Sequence, residues 1–341
     1  MGPLRWPLLV EANVLRKLTE FSMFLDKFRT PQPLDPVHRE KIPATISKFP
    51  GEIGLFFYAP SEWHQTLRRG RKFPVLLNFH AGGFTIGSAT DDSRWASAVV
   101  EVADTVVVSV QYRLAPEYPF PTAIEDGVDA LFYLFQNAER FNLDADRFGL
   151  SGFSSGGSMA FTVWLRFRAE IEKRIQDGRN VADCSNDYHR AAIIVSWYPS
   201  VDFATHTRTG RRRSNPRPEK ELPRFLIDWF DACYIYPRSA ISLHDPLLSP
   251  GVAPLSMLKS LPDNILILAC EWDGLRAEAE RFKERLVRDI GKRVQYRVVE
   301  GTYHAWDKRF RQVKDIPCRE NIYREVCLEI RRIFYGQQMS S

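Results

Sequence analysis

From Ile53 onward the chain alternates short, almost wholly apolar runs with longer stretches whose apolar residues recur every three or four positions. The runs IGLFFYAP (Ile53–Pro60), PVLLNF (Pro74–Phe79), TVVVSVQY (Thr105–Tyr112), RFGLSGF (Arg147–Phe153), AAIIVSW (Ala191–Trp197), NILILAC (Asn264–Cys270) and VQYRVVE (Val294–Glu300) are too short for helices and rich in apolar or β-branched residues. They predict strands buried on both faces of a mostly parallel sheet. Between them, Val128, Leu131, Phe132 and Phe135 mark a helix with Pro121 near its start, and Ile322, Val326, Ile330 and Ile333 mark another near the C-terminus. Strands alternating with helices predict an α/β fold, with helices layered on a central sheet.

Two regions break the alternation. At the N-terminus, Leu8, Leu15, Leu18, Phe21, Leu25 and Phe28 fall at helical spacing until Pro31, Pro33 and Pro36. Its polar face is not basic enough for a membrane-surface helix, so its apolar face is expected to pack on the protein's own body. The second break, between SWYPSVDF and NILILAC, is about sixty residues long, and insertions of that length in compact domains are usually functional. It reads as a polar loop (Thr205–Glu219), an amphipathic helix LPRFLIDWFDACYI, and a proline-rich return. The domain map is therefore N-terminal cap helices at 1–45, core at 46–202, a cap insertion at 203–262 and core again at 263–341.

Composition narrows the class. The 341 residues are 44% hydrophobic and 26% charged, ordinary for a globular protein, and 47 Lys+Arg against 42 Asp+Glu give +5. The excess sits in two runs, Arg68–Lys72 and Arg208–Ser214, without interleaved aromatics, so both read as solvated loops and no nucleic-acid partner is expected. Cys184, Cys233, Cys270, Cys318 and Cys327 are odd in number and form no CxxC pair, which argues against a disulfide framework or a zinc site. No run reaches membrane-span length, and Glu11, Arg16 and Lys17 interrupt any secretory leader. A cytoplasmic protein without an integral membrane segment is expected. The oligomeric state is open, a homodimer included.

The chemistry starts at Gly152, Ser154 and Gly156. They form G-x-S-x-G between a predicted strand and the helical SSGGSMAFTVWLRF, a context that pushes a serine hydroxyl into the open on a strained turn. The alternative is a serine-rich helix cap. A nucleophilic serine needs a base and the base an orienting carboxylate. His38, His64, His189, His206 and His244 lack a strand-end context, whereas His304 directly follows the last predicted strand. Asp273, at the junction of NILILAC and the helix LRAEAERFKERL, is the candidate acid, its alternative being a helix N-cap; Asp245 is the rival. Ser154, Asp273 and His304 occur in the order Ser, Asp, His that an α/β-hydrolase arrangement requires. The adjacent glycines of HAGGF, after PVLLNF, admit close approach to the main chain. They read as an oxyanion loop with the N–H groups of Gly82, Gly83 and Ser155 as donors, His80 anchoring it.

With these residues in view, the chain resembles the hormone-sensitive-lipase-like family of α/β-hydrolase carboxylesterases. The resemblance rests on HAGGF for an HGGGF-type loop, YRLAPEYPFP, GFSSGG for a GDSAGG-type elbow, WDGLRAE and YHAW. It implies the α/β-hydrolase fold with a helical cap, serine esterase chemistry without metal or organic cofactor, and Ser154, Asp273 and His304 as the triad. Ala81, Phe153 and Ser155 depart from the family's usual glycine, acidic residue and alanine. The leading function is a serine carboxylesterase for a small or medium-sized apolar ester, with Phe84, Trp197, Trp229, Phe230 and Trp306 as candidate pocket residues. The same triad also serves acyl transfer, lactone opening or condensation in secondary metabolism, and the fold serves small-molecule receptors. Retention of His304 favours an enzyme.

Overall fold

A computed structural model describes residues 5–63, 71–178, 190–205, 208–308 and 318–336. His64, His189, His206 and Cys184 lie outside them.

Among the described residues eight strands form one sheet: β1 (His38–Pro43), β2 (Glu52–Tyr58), β3 (Phe73–Phe79), β4 (Val106–Gln111), β5 (Leu143–Phe153), β6 (Ala191–Trp197), β7 (Asn264–Trp272) and β8 (Arg293–Tyr303). Their order is β1-β2-β4-β3-β5-β6-β7-β8. β3 to β8 run parallel, while β2 lies antiparallel to both β1 and β4. Every residue of β3 is buried, as its almost wholly apolar run requires when helices cover both faces.

The helices are α1 (Trp6–Lys27), α2 (Ser93–Ala103), α3 (Thr122–Gln136), α4 (Ser155–Gln176), α5 (Arg208–Ser214), α6 (Arg224–Tyr234), α7 (Leu255–Leu258), α8 (Arg276–Arg288) and α9 (Arg319–Tyr335). α2 and α9 pack together over one face of the sheet, where Trp95, Val99, Trp197, Tyr323, Val326 and Ile330 share a core. α3, α4 and α8 cover the other, with Val128, Leu131, Phe161, Val163 and Phe282 inward. Each such side chain contributes about 1.5–3 kcal/mol by leaving water. Pro121 stands immediately before α3.

Three local expectations change. β1, HREKIP, is a strand that hydrophobic patterning did not predict. It pairs with one neighbour only and buries only Ile42, while its charged residues protect the sheet edge. The segment expected to be a polar loop contains α5 and a 3-10 turn at Pro218–Lys220. Finally, the apolar face of α1 packs only in part: Leu8 lies against the core and Leu15 and Leu25 are half-buried, whereas Leu18, Phe21 and Phe28 are more than half exposed.

Polar side chains complete the docking of α1. Arg16 donates to the carbonyls of Thr85 (2.9 Å) and Ala115 (2.7 Å) and forks onto Glu117 (2.7 and 2.8 Å). Arg94 pairs with buried Asp26 at 2.6 Å. Arg5 donates to the Cys233 carbonyl of α6 (2.9 Å), and Trp229 of α6 donates to Glu11 (2.8 Å). Among the described residues no helix is long and apolar enough to cross a membrane.

Candidate active site

The strand order reverses around β3, with β4 on one side and β5 on the other, and a crevice opens at the carboxyl ends of strands at such a switch point. β3 leads into the glycine loop and β5 into Ser154. Ser154 has φ +53°, and its amide donates to the Trp197 carbonyl at the end of β6 (2.9 Å). The glycines of the motif follow from this sharp turn. A methyl built on Gly152 would meet the Gly156 carbonyl oxygen at 2.2 Å, and one on Gly156 would meet that of Phe79 at 2.0 Å. Any larger residue would push β5, α4 and β3 apart.

His304 leaves the end of β8 and Asp273 the end of β7. The His304 Nδ1–H donates to Asp273 Oδ2 (2.7 Å), which leaves Nε2 to accept from Ser154 Oγ–H (2.8 Å). Asp273 also accepts the Leu275 amide on Oδ1 (3.0 Å), so its carboxylate is fixed by the turn into α8. The ring of His304 is 9% exposed. Burial opposes its charged form, but the charge and hydrogen bond of Asp273 outweigh burial and raise the pKa above its ordinary value. The rival acid is elsewhere: Asp245 accepts the Leu247 amide in its own turn (2.9 Å) and does not line the cavity.

Facing Ser154 is the glycine loop. Gly82 and Gly83 have φ of +125° and +57°, and among the described residues neither amide has an acceptor. The Ser155 amide, first in α4, belongs to the N–H groups that a helix start leaves without an intrahelical partner, where the helix dipole favours negative charge. Gly83 and Ser155 line the cavity with Ser154, Asp273 and His304; Gly82 stands one residue behind. His80 is fully buried, its Nδ1 2.7 Å from the Ala81 carbonyl and its ring stacked on Tyr112 at 4.1 Å. Burial lowers its pKa, so it holds the loop as a neutral ring.

The cavity has a volume of about 310 Å³. Of the candidate pocket residues, Phe84 and Phe230 line it. Trp197 and Trp306 are core residues of the α2/α9 face, 0% and 5% exposed, and Trp229 turns to Glu11 of α1. α6 faces the cavity with Arg224, Ile227, Phe230, Asp231 and Tyr234; the i, i+3, i+4, i+7 spacing that starts at Ile227 is the signal that identifies this face. The sequence reading also missed the wall made by Phe203, Arg211 and Glu221. Arg211 is held by fully buried Glu278, Nε to Oε2 at 2.7 Å, and by the Asp202 carbonyl at 2.7 Å.

Comparison with known proteins adds an independent line. Residues 76–308 match the model of a family described as alpha/beta hydrolase fold. Esterase LipI of Mycobacterium tuberculosis is 36% identical over 260 residues, 74% of this chain and 72% of its own. Arylacetamide deacetylase of Oryctolagus cuniculus is 34% identical over 352 residues, 88% and 86% of the two chains. Among solved structures, the thermophilic carboxylesterase EstE1, cloned from a metagenomic library, superposes with a TM-score of 0.71 at 25% identity, covering 95% of this chain and 97% of its own. An esterase of Pyrobaculum calidifontis has the same fold, with a TM-score of 0.73 at 23% identity and 98% coverage of both.

Proposed function

Since the chain belongs to the hormone-sensitive-lipase-like, carboxylesterase-related family of alpha/beta hydrolases, we propose that it is a serine carboxylesterase with Ser154 as nucleophile, His304 as base and Asp273 as orienting acid. The observation that carries the reading is the continuous chain from Ser154 Oγ to His304 Nε2 and from Nδ1 to Asp273, opening into one cavity. Oγ attacks the ester carbonyl while Nε2 takes its proton. The carbonyl oxygen becomes an oxyanion held by the amides of Gly83 and Ser155, with Gly82 beside them. Imidazolium then protonates the departing alcohol. Water enters, gives its proton to Nε2 and attacks the acyl group, and collapse of the second intermediate returns the proton to Oγ. The raised pKa of His304 supports this, because Asp273 stabilises the imidazolium formed in both halves.

A largely apolar cavity of this size suits a small or medium-sized apolar ester. The relative named arylacetamide deacetylase makes a small aryl acetate the first substrate to assay. Residues 203–262, together with the N-terminal helix, form the cap in this reading; Phe230 and Tyr234 press on the loop that holds the oxyanion. The test is a fluorophosphonate adduct mapped by mass spectrometry together with turnover of aryl acetate. The reading requires the adduct on Ser154 and parallel loss of turnover, and an adduct on another serine refutes it.

A further inference from the structure

Phe153 stands immediately before Ser154, where the resemblance leads one to expect an acid. Its ring is fully buried, stacked at 9° on Trp197, with the ammonium of Lys308 3.4 Å from its centroid. The Lys308 side chain is 16% exposed, and its Nζ also pairs with Asp92 Oδ1 (2.6 Å) and Asp307 Oδ2 (3.2 Å). One largely buried cation therefore sits between two carboxylates and the face of an aromatic ring.

Each partner leads to a different part of the site. Asp307 and Lys308 lie in the turn that follows His304. Asp307 is fixed by the hydroxyls of Tyr198 and Tyr323, both at 2.5 Å, and the Tyr198 ring stands edge-on to His304 at 5.0 Å. Asp92, at the start of α2, accepts from Asn78 of β3 (2.8 Å), and Asn78 accepts from Ser151 of β5 (2.7 Å). β3 leads into the glycine loop and β5 into the nucleophile, so these contacts join the histidine loop to both.

Charge explains the phenylalanine. Burying an ammonium is costly unless it is paired, and Asp92 and Asp307 already supply more negative charge than Lys308 carries. A third carboxylate at position 153 would leave surplus negative charge in the same seat. An aromatic face completes the seat with electron density but no net charge.

We propose that Lys308 is a positioning residue that fixes the His304 loop to the Ser154 elbow, and that the face of Phe153 supplies the third side of its seat in place of a carboxylate. The proposal rests on the reading of Ser154 and His304 as nucleophile and base.

The test exchanges Phe153 for phenylalanines carrying one, two and three ring fluorines, which keep the ring while draining charge from its face. The rate constant for fluorophosphonate labelling of Ser154, and kcat on an aryl acetate, are measured across the series. Both fall stepwise, reaching a loss of about tenfold with three fluorines, while KM stays within about twofold and labelling still runs to one adduct per chain. A role in packing alone gives no such trend.

Lys308→Met is expected to lose more, about a hundredfold in kcat, because two buried carboxylates lose their counter-charge. If that variant does not fold, the fluorine series decides alone. Phe153→Asp is expected to be slower than the trifluorinated protein and less stable. Adducts on Ser154 at a rate indifferent to fluorination, wild-type labelling by folded Lys308→Met, or a Phe153→Asp variant faster than wild type each overturn the proposal. An adduct on a serine other than Ser154 refutes the underlying site reading, and the proposal with it.

Discussion

Asp273→Asn exchanges one carboxylate oxygen for an NH₂ group and tests the site most sharply. The carboxylate serves two donors, the Leu275 amide on Oδ1 and the His304 Nδ1–H on Oδ2. An asparagine has one oxygen for these two donors. The backbone amide of Leu275 cannot change its role, so the side-chain oxygen stays with it and the NH₂ turns to His304. Nδ1 must then accept, which places the imidazole proton on Nε2, where it blocks transfer from Ser154. The expected loss in kcat is about 10⁴-fold, the size found when a triad acid is replaced by its amide, or about 5.5 kcal/mol. A second effect follows from charge. Burial lowers the His304 pKa and Asp273 raises it beyond compensation, so removing the charge leaves burial to dominate. His304 acts as a base only when neutral; in wild type kcat/KM therefore falls as pH drops through a pKa raised above the ordinary histidine value, and in the variant the residual activity keeps its plateau to lower pH. The assay is kcat/KM for an aryl acetate from pH 5 to 9, with the thermal midpoint as a fold control. A folded variant that keeps a tenth of wild-type kcat, with its acid limb unmoved, refutes the role given to Asp273.

Ser154→Ala should lower turnover by about a million-fold without lowering the thermal midpoint, since only one half-buried hydroxyl and its bond to His304 are lost; substantial activity in pure protein would exclude Ser154 as nucleophile. Phe230→Ala should change the ranking of acyl chain lengths by about 1–3 kcal/mol in kcat/KM, whereas Trp229→Ala, which frees Glu11, should leave that ranking intact. If Trp229→Ala reorders the chain lengths and Phe230→Ala does not, the inward face of α6 is misassigned. Arg94→Met should cost about 3–5 kcal/mol by stranding buried Asp26; urea unfolding that matches wild type would show that α1 is held by other contacts.

What was readable in the sequence was what burial dictates. Strands covered on both faces have no solvent-facing positions, so the almost wholly apolar PVLLNF and AAIIVSW identify themselves, and the elbow is legible because its glycines answer to backbone collisions that any sequence must obey. Edges and surfaces are less determined. HREKIP forms a strand through hydrogen bonds to β2 alone, so its side chains carry no periodic signal. In α1 the spacing located the helix but not its docking, because Arg16, Arg5 and Asp26 hold it while Phe21 and Phe28 face solvent. Aromatic type likewise does not separate cavity from core: Trp197 and Trp306 looked like pocket residues and instead fill the space beneath the α2/α9 layer.

The same limit conceals how the insertion meets the site. Two side chains one turn apart on α6 reach the glycine loop. Phe230 lies so close that a methyl on Gly83 would fall 2.5 Å from its Cγ, and Tyr234 stacks on Phe84 at 3.8 Å and 5°. Tyr234 also accepts the Phe120 amide (2.9 Å), and Arg5 holds the neighbouring Cys233 carbonyl (2.9 Å). The loop that presents the Gly83 amide is thus shaped from below by His80 and from above by α6. An oxyanion donor is effective only at about 2.7–3.1 Å from its target, so displacement of α6 by a bulky substrate would shift the donor as well as widen the cavity. On the proposed function, substrate selection and rate would be coupled at Gly83, and a poorly fitting ester should lose kcat as well as affinity.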